Sequence, residues 1–222
     1  MKARAFNFHG IGQPGPAVSE GERPYWISAQ AFEAFLEIFA AYRSRYMIVI
    51  TFDDGNRSDI EIAAPLLLKY KLNARFFVLT GRLENPDYLD KTNICDLKNM
   101  GFGIGSHGIN HVNWAQQDIP SLRQELTRSR EVLEGILGQP VTEAAIPFGS
   151  YRRRVLKELW AHGYRIAWSS DGETTSLQKF LRPRLSIRND TDPGTITDLL
   201  ETGGSIRRKM RQKLSIARKS LV

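Results

Sequence analysis

Apolar residues recur along this chain in two alternating rhythms. Short apolar runs of strand length cover Ala5 to His9, Tyr46 to Phe52, Ala74 to Leu79, Gly103 to Ser106, Glu143 to Pro147, Arg165 to Ser169 and Leu181 to Ile187. Between them lie longer stretches in which apolar positions return every three or four residues, the spacing of one helix face. Ser28 is placed to cap a helix that carries Phe32, Phe35, Leu36 and Phe39. Asp59 to Tyr70 carries Ile60, Ala64, Leu67 and Leu68, and Asn93 to Met100 reads as a short helix. Ile119 to Leu137 carries Leu122, Leu126, Val132, Leu133 and Leu137 and stops at Gly138; Tyr151 to His162 stops at Gly163. Strand and helix in regular alternation predict an α/β fold with parallel strands. The chain shows no internal repeat and no sign of a second domain. Its longest predicted loop, Gly10 to Ile27, follows the first strand.

The polar residues that interrupt this pattern gather where strands end. Thr51-Phe52-Asp53-Asp54-Gly55 closes the second strand, and His107-Gly108-Ile109-Asn110-His111 follows the fourth. Side chains alternate across a strand, and the alternation relaxes at the junction with a loop. One Asp can therefore hold a metal while its neighbour faces a bound water. Two His and one carboxylate, with positions left open, form the ligand set of a catalytic divalent metal. A second carboxylate that is not a ligand can take a proton from that water. Each segment alone also fits a structural use, an Asx turn for the first and a packed histidine pair for the second. Their joint occurrence points to chemistry.

These segments resemble the signature of the NodB-homology polysaccharide deacetylases. That family reads T-F-D-D-G as its first motif, matched in full, and H-[ST]-x-x-H as its second, matched except for Gly108. Its third motif, R-x-P-[YF]-G, corresponds to Ala145-Ile146-Pro147-Phe148-Gly149, without the arginine. The stretch Ala144 to Tyr151 is similar to the version found in the biofilm exopolysaccharide N-deacetylase subgroup, and the resemblance runs from Phe6 to about Arg188. It implies a distorted, incomplete (β/α)7 barrel with its site at the C-terminal ends of the strands. It implies removal of an N-acetyl, or small N-acyl, group from an amino sugar or glycan precursor. Hydrolysis of an O-acetyl ester or a non-sugar C–N bond is the neighbouring reading. A non-catalytic carbohydrate-binding barrel is the distant one.

By the resemblance, Asp54, His107 and His111 are the metal ligands, with Zn²⁺ expected and Co²⁺, Ni²⁺ or Mn²⁺ able to fit. Asp53 is the base. Pro147, Phe148, Gly149 and Tyr151 lie on the substrate side, and the Phe148 N–H is placed to help hold an oxyanion. The family's last motif supplies a histidine that protonates the leaving amine, but Leu181 to Arg188 contains none. His9 follows the first strand and either serves as acid or substrate ligand or bonds the neighbouring loop. Asp171 either orients His9, binds a sugar hydroxyl, or opens a turn with Gly172. Arg184 either pairs with Asp53, in place of the absent motif arginine, or faces solvent. Tyr25, Trp26 and Trp168 are candidates to stack on sugar rings. Trp114 is expected beside the site, and His162 at a helix end.

Composition narrows the rest. The formal net charge is +7, and residues 205–222 hold seven basic residues and no acid, which leaves 24 Lys and Arg against 24 Asp and Glu in residues 1–204. A body of balanced charge argues against a nucleic-acid surface. The chain thus divides into a catalytic barrel, 1–204, and a basic C-terminal segment, 205–222. In the latter, Ile206, Met210, Leu214, Ala217 and Leu221 recur at helical spacing. Such a helix can lie on an anionic membrane surface or cover the barrel. The lone Cys95 is expected to be buried. Met1 to Arg4 leads into the first strand without an apolar run, which predicts a cytoplasmic protein, possible contact being limited to the periphery of the inner membrane face.

Overall fold

The computed structural model describes residues 2–172, 174–202 and 206–221. Strand β1 (Lys2–Phe8) pairs in parallel with β2 (Ile48–Phe52), setting Phe6 against Ile50 and Phe8 against Phe52. Strands β3 (Ala74–Val78), β4 (Gly103–Ser106), β5 (Glu143–Ala145) and β6 (Ile166–Ser169) add in chain order, all parallel. A short strand that the hydrophobic pattern did not announce, β7 (Thr174–Ser176), runs antiparallel against β1. The expected seventh strand is split. Its first half, β8 (Leu181–Pro183), pairs with β6, and its second half, β9 (Leu185–Ser186), pairs with β1. One segment thus spans from the last parallel strand back to the first, and the sheet nearly closes into a barrel.

The helices lie outside. Ser28 accepts from Ala31 N at 3.0 Å and starts α1 (Ala29–Tyr42), whose Phe32, Phe35, Leu36 and Phe39 are all buried. They meet Phe6, Phe8 and Phe52 from the outer faces of β1 and β2 in a run of stacked and edge-on rings. Each of these fully buried side chains contributes about 1.5–3 kcal/mol by removal from water. The next helix departs from expectation. Residues Asp59–Ala63 form a π-turn before α2 (Ala64–Lys69). Beyond the turn Ala64 and Leu67 stay buried, as the apolar stripe predicts, and the changes fall at its two ends. Asp59 and Ala63 face inward, and Leu68, expected in the core, is exposed.

Helices α3 (Lys91–Asn99), α4 (Ile119–Leu137) and α5 (Arg153–Ala161) follow the sequence pattern, α4 stopping at Gly138 with φ 64°. Cys95 on α3 is half-buried rather than enclosed. Two further helices, α6 (Pro193–Thr202) and α7 (Ile206–Leu221), complete the chain.

Within the barrel, Ala3, Ala5, Val49, Phe77, Ala145 and Trp168 pack together. Trp168 belongs to this interior, fully buried with its indole N–H on Glu143 at 2.9 Å, so it offers no face to a sugar. Toward the C-terminal ends of the strands the interior turns polar, with Asn7, Thr51, Asp53 and Arg184 all buried.

Candidate metal centre and active site

Three side chains converge where β2 and β4 end. Asp54 Oδ1 lies 3.5 Å from His107 Nε2 and 3.6 Å from His111 Nε2. One ligand atom from each of the three lies within 4.8 Å of the others. The tautomers are set from behind. His107 Nδ1 lies 2.9 Å from Ala145 O, an acceptor, so it carries the proton and leaves the Nε2 lone pair facing Asp54. His111 Nδ1 likewise faces Glu22 Oε1 at 3.0 Å. Asp54 Oδ1 is buried with no hydrogen-bond partner, a costly state for a carboxylate oxygen unless a cation answers it. Orphaned oxygen and two oriented imidazoles fit a divalent metal, and Asp54, His107 and His111 would hold it.

The backbone is shaped for this convergence. Among the described residues the non-glycine positions with left-handed φ are Asp54 at 77°, Lys71 at 54°, His111 at 53° and Phe148 at 58°, and three of these four belong to the site. Such conformations cost about 1–3 kcal/mol each and persist where surrounding structure enforces them.

Asp53 sits beside the ligands with a different electrostatic setting. Arg184, fully buried, grips it bidentately, Nη1 to Oδ1 at 2.8 Å and Nη2 to Oδ2 at 2.8 Å. Asn7 Nδ2 donates to Oδ2 at 2.9 Å. Arg184 Nη1 also donates to Asn7 Oδ1 at 2.9 Å and Thr51 Oγ1 at 3.0 Å. Burial by itself would raise the Asp53 carboxyl; the Arg184 charge, with His107 and the bidentate hydrogen bonds, more than reverses this and holds it well below the usual carboxylate range. The break between β8 and β9 makes this grip possible. At Arg184, between the two halves, the N–H still donates to Ser169 O of β6 at 2.9 Å, and the side chain enters the barrel to reach Asp53.

A pocket of about 370 Å³ opens over these groups, and His9, Tyr25, Glu22 and Phe148 are among its walls. His9 is half-buried, stacks near Tyr25 at 4.6 Å, and has an Nδ1 without a partner. Burial lowers its pKa against the opposing pull of Asp54 and Asp53. His107 is drawn down to about 4 by burial, again against Asp53 and Asp54. In His111 burial is outweighed by the Glu22 hydrogen bond and Asp54, and the pKa rises. Phe148 is 63% exposed at the rim and stacks on His111 at 4.5 Å. Pro147 and Gly149 are buried and shape the turn that presents it; a Cβ at Gly149 would come within 2.8 Å of Ser170 N.

Two expected site residues turn away. The Asp171 carboxylate neither orients His9 nor faces the pocket. It accepts from Tyr151 Oη at 2.8 Å, Ser169 Oγ at 2.7 Å, Ser215 Oγ at 2.7 Å and Lys219 Nζ at 2.8 Å. Tyr151, buried and donating to Asp171, presents no ring face to a ligand. Trp114 packs fully buried against Gly108, and His162 closes the end of α5 with Nδ1 on Glu158 O at 2.8 Å.

The polysaccharide deacetylase family profile matches residues 41–167. The chain belongs to that family. A peptidoglycan-N-acetylglucosamine deacetylase of Bacillus cereus is 26% identical over 154 residues, covering 68% of this chain and 54% of the relative. The chain spans about half the length of the curated relatives it matches. Among solved structures, the Streptococcus pyogenes deacetylase PplD in complex with acetate superposes with a TM-score of 0.78 at 20% identity, covering 90% of this chain and 98% of that one. IcaB from Ammonifex degensii superposes with a TM-score of 0.68 at 17% identity over 90% of this chain and 97% of its own. At these identities the structural likeness carries the fold, a nearly closed parallel barrel of the NodB-like deacetylases.

Within the polysaccharide deacetylase family, the chain departs from the usual motifs in ways the structure explains. Gly108 stands at φ 89°, and a Cβ there would meet Glu125 Oε2 at 2.7 Å. Glu125, reaching from α4, accepts from Ile109 N at 2.7 Å, Asn110 N at 3.3 Å and Asn110 Nδ2 at 2.9 Å, and so pins the turn between the two histidines. Sequence reasoning missed Glu125, which sits among surface-like residues of an amphipathic helix. It also missed Glu22, in a loop without periodicity, which binds His111 and Arg82, the latter at 2.9 Å. Burial opposes ionisation of Glu22, but hydrogen bonds from His111 and Arg82 hold it well below the usual range. Asp59 is the opposite case. Both its oxygens are buried without partners, and burial, with Asp54 and Asp53 nearby, pushes its pKa well above the usual value.

Proposed function

We propose that this chain is a metal-dependent hydrolase that removes an N-acetyl, or small N-acyl, group from an amino sugar within a glycan or glycan precursor. The observation that carries this reading is the adjacency of two unlike carboxylates. Asp54 is turned toward two histidines with an oxygen left over, and Asp53 beside it is held as an anion by Arg184. A divalent ion held by Asp54, His107 and His111 would supply Lewis acidity, making a water more acidic and polarising the acyl carbonyl. Zinc suits a donor set of two imidazoles and a carboxylate, and Co²⁺, Ni²⁺ or Mn²⁺ fit it too.

The chain's own groups do the remaining work. Asp53 stays ionised at working pH, and each of its oxygens keeps lone-pair capacity to accept a proton from water. His9 lines the same pocket with an unpartnered nitrogen, so a proton that it takes up there can pass to the leaving nitrogen. Tyr25 and the exposed ring of Phe148 offer faces to a pyranose. The Phe148 turn, anchored by Pro147 and Gly149, closes one side of the acyl site.

The test begins with metal content. Elemental analysis of the purified protein is expected to find about one divalent ion per chain, lost in Asp54→Ala and His107→Ala. Acetate release from N-acetylated glucosamine oligomers should disappear on chelation, return with Zn²⁺ or Co²⁺, and fall in Asp53→Asn with the metal still bound. A protein that takes up no metal even when it is offered would sink the reading in favour of a sugar-binding barrel. Release from O-acetyl esters alone would reassign the bond.

A further inference from the structure

Helix α7 meets the barrel with its polar side. Gln212, Ser215, Ile216 and Lys219 are half-buried, whereas Met210, Lys213, Leu214, Ala217 and Arg218 are exposed, a clean helical alternation. The attachment is hydrogen-bonded. Gln212 Nε2 donates to Thr174 O at 2.7 Å, Ser215 Oγ to Asp171 at 2.7 Å, and Lys219 Nζ to Asp171 Oδ1 at 2.8 Å and to Gly149 O at 2.7 Å. Met210 and Leu214, one turn apart on the opposite side, stand 59% and 68% exposed. A last helix that merely covers a barrel does the reverse, burying its large apolar residues and leaving its cations and hydroxyls in water.

We propose that this outward face of α7 seats on a lipid bilayer bearing anionic headgroups. Met210 and Leu214 would enter the boundary between headgroups and acyl chains, with Lys213 and Arg218 flanking them against headgroup charge. Charge complementarity selects this occupant. The segment 205–222 carries seven basic residues and no acid. A second copy meeting helix to helix would set like charge against like charge, since a two-fold interface repeats the same patch on both sides. No helix among the described residues is long and apolar enough to cross a membrane, so this is attachment at the surface. The position of α7 gives the attachment a use. Lys219 holds the carbonyl of Gly149, the neighbour of rim residue Phe148, so the seated helix lies beside the pocket mouth. Joined to the deacetylase reading, on which this clause alone rests, that favours an amino sugar carried at the lipid surface.

The test is co-sedimentation of the full chain with vesicles of phosphatidylcholine alone and of an equal mixture with phosphatidylglycerol. The intact chain should pellet with the anionic vesicles, remain in the supernatant with the neutral ones, and be released by salt. Met210→Ser/Leu214→Ser keeps every charge and touches solvent-facing positions only. It should lower the partition onto anionic vesicles by about tenfold or more, while circular dichroism and thermal unfolding stay as in the parent. An intact chain that stays soluble beside anionic vesicles, or a double variant that pellets equally well, overturns the proposal. So does sedimentation velocity showing a dimer of the parent that the double variant dissolves, since the face then belongs to a second copy. None of these readouts involves catalysis, so a failed deacetylase assay leaves them intact.

Discussion

Replacing Arg184 by Met leaves the Asp53 carboxylate buried against a single remaining donor, Asn7 Nδ2 at 2.9 Å. The variant loses two charge-assisted bonds of 2.8 Å to Asp53 and the bonds to Asn7 and Thr51. Removing one partner of a buried ion pair costs about 3–5 kcal/mol, chiefly because the other charge stays behind without compensation. At about 2–4 °C per kcal/mol for a chain of this size, the melting temperature should fall by roughly 6–20 °C near pH 7. The pH dependence gives a second handle. In the parent, the folded pKa of Asp53 lies below its ordinary 3.8, so the pair's stabilisation is present above that value and lost as pH falls through the folded pKa. In the variant burial is opposed only by Asn7 and the neighbouring His107 and His9, and the folded pKa should rise above the ordinary value. The sign then reverses: stability is full below the ordinary value and drains away as pH rises. The gap between parent and variant should therefore narrow from pH 7 toward pH 4. Adding Asp53→Asn to Arg184→Met removes the stranded charge and should return about 2–3 kcal/mol, a coupling readable from urea unfolding of all four proteins. An Arg184→Met protein within about 1 kcal/mol of the parent at pH 7, or a double variant no better than the single, would refute the account of Asp53 as an anion kept by its cation.

Glu22→Ala removes the acceptor behind His111 and should weaken metal binding by about 10–100-fold in chelator competition, with little change in unfolding; unchanged affinity would reject the orienting contact. Gly108→Ala asks a Cβ to stand 2.7 Å from Glu125 Oε2 at φ 89° and should cost about 1–3 kcal/mol in urea unfolding; a neutral result would mean that the turn is held differently. Asp59→Asn supplies a neutral side chain where burial raises the acid's pKa. The parent should lose stability as pH rises above the ordinary Asp value, by about 1.4 kcal/mol per unit until the folded pKa is passed. The variant should be flatter and more stable at pH 7, and parallel pH profiles would contradict a neutral Asp59.

What could be read from the chain and what could not follow a physical line. The candidate ligands Asp54, His107 and His111, with Asp53 beside them, were legible because they sit next to strand ends, where an apolar run and a turn fix their position without long-range information. The phase of α4 and the cap at Ser28 were legible for the same reason: both depend on residues a few positions apart. Glu22 and Glu125 were not, since each acts across 89 and 15 or 16 residues respectively, and nothing in a loop or a charged helix face marks a carboxylate that will turn inward. For Asp171 and Tyr151 the resemblance indicates a region of the chain, and closeness to a motif in sequence does not decide which way a side chain turns. Tyr151 donates to Asp171, and Asp171 in turn accepts from Ser215 and Lys219 on α7, whose polar side faces the barrel. The π-turn at Asp59–Ala63 was not legible either: it brings Asp59 and Ala63 inward, while beyond it Ala64 and Leu67 are buried as the spacing predicts and Leu68 alone is turned out.

The absent motif arginine is the instructive case. Position 145 is an alanine, fully buried beside Phe77 in the barrel interior, and its carbonyl accepts from His107 Nδ1. A guanidinium from β5 is missing there, yet the requirement it meets is intact, since a buried carboxylate without a cation would take up a proton and lose its use. Arg184 meets that requirement from between β8 and β9, its guanidinium 5.4 Å from the Phe77 ring centroid, where the strand breaks to let it in. The small residue at 145 and the break at 184 are therefore two halves of one arrangement: the first keeps the interior open beside Phe77, and the second supplies the charge that reaches Asp53. A motif scan scores the first as a loss and has no term for the second. Electrostatic need, followed from Asp53 outward, finds both.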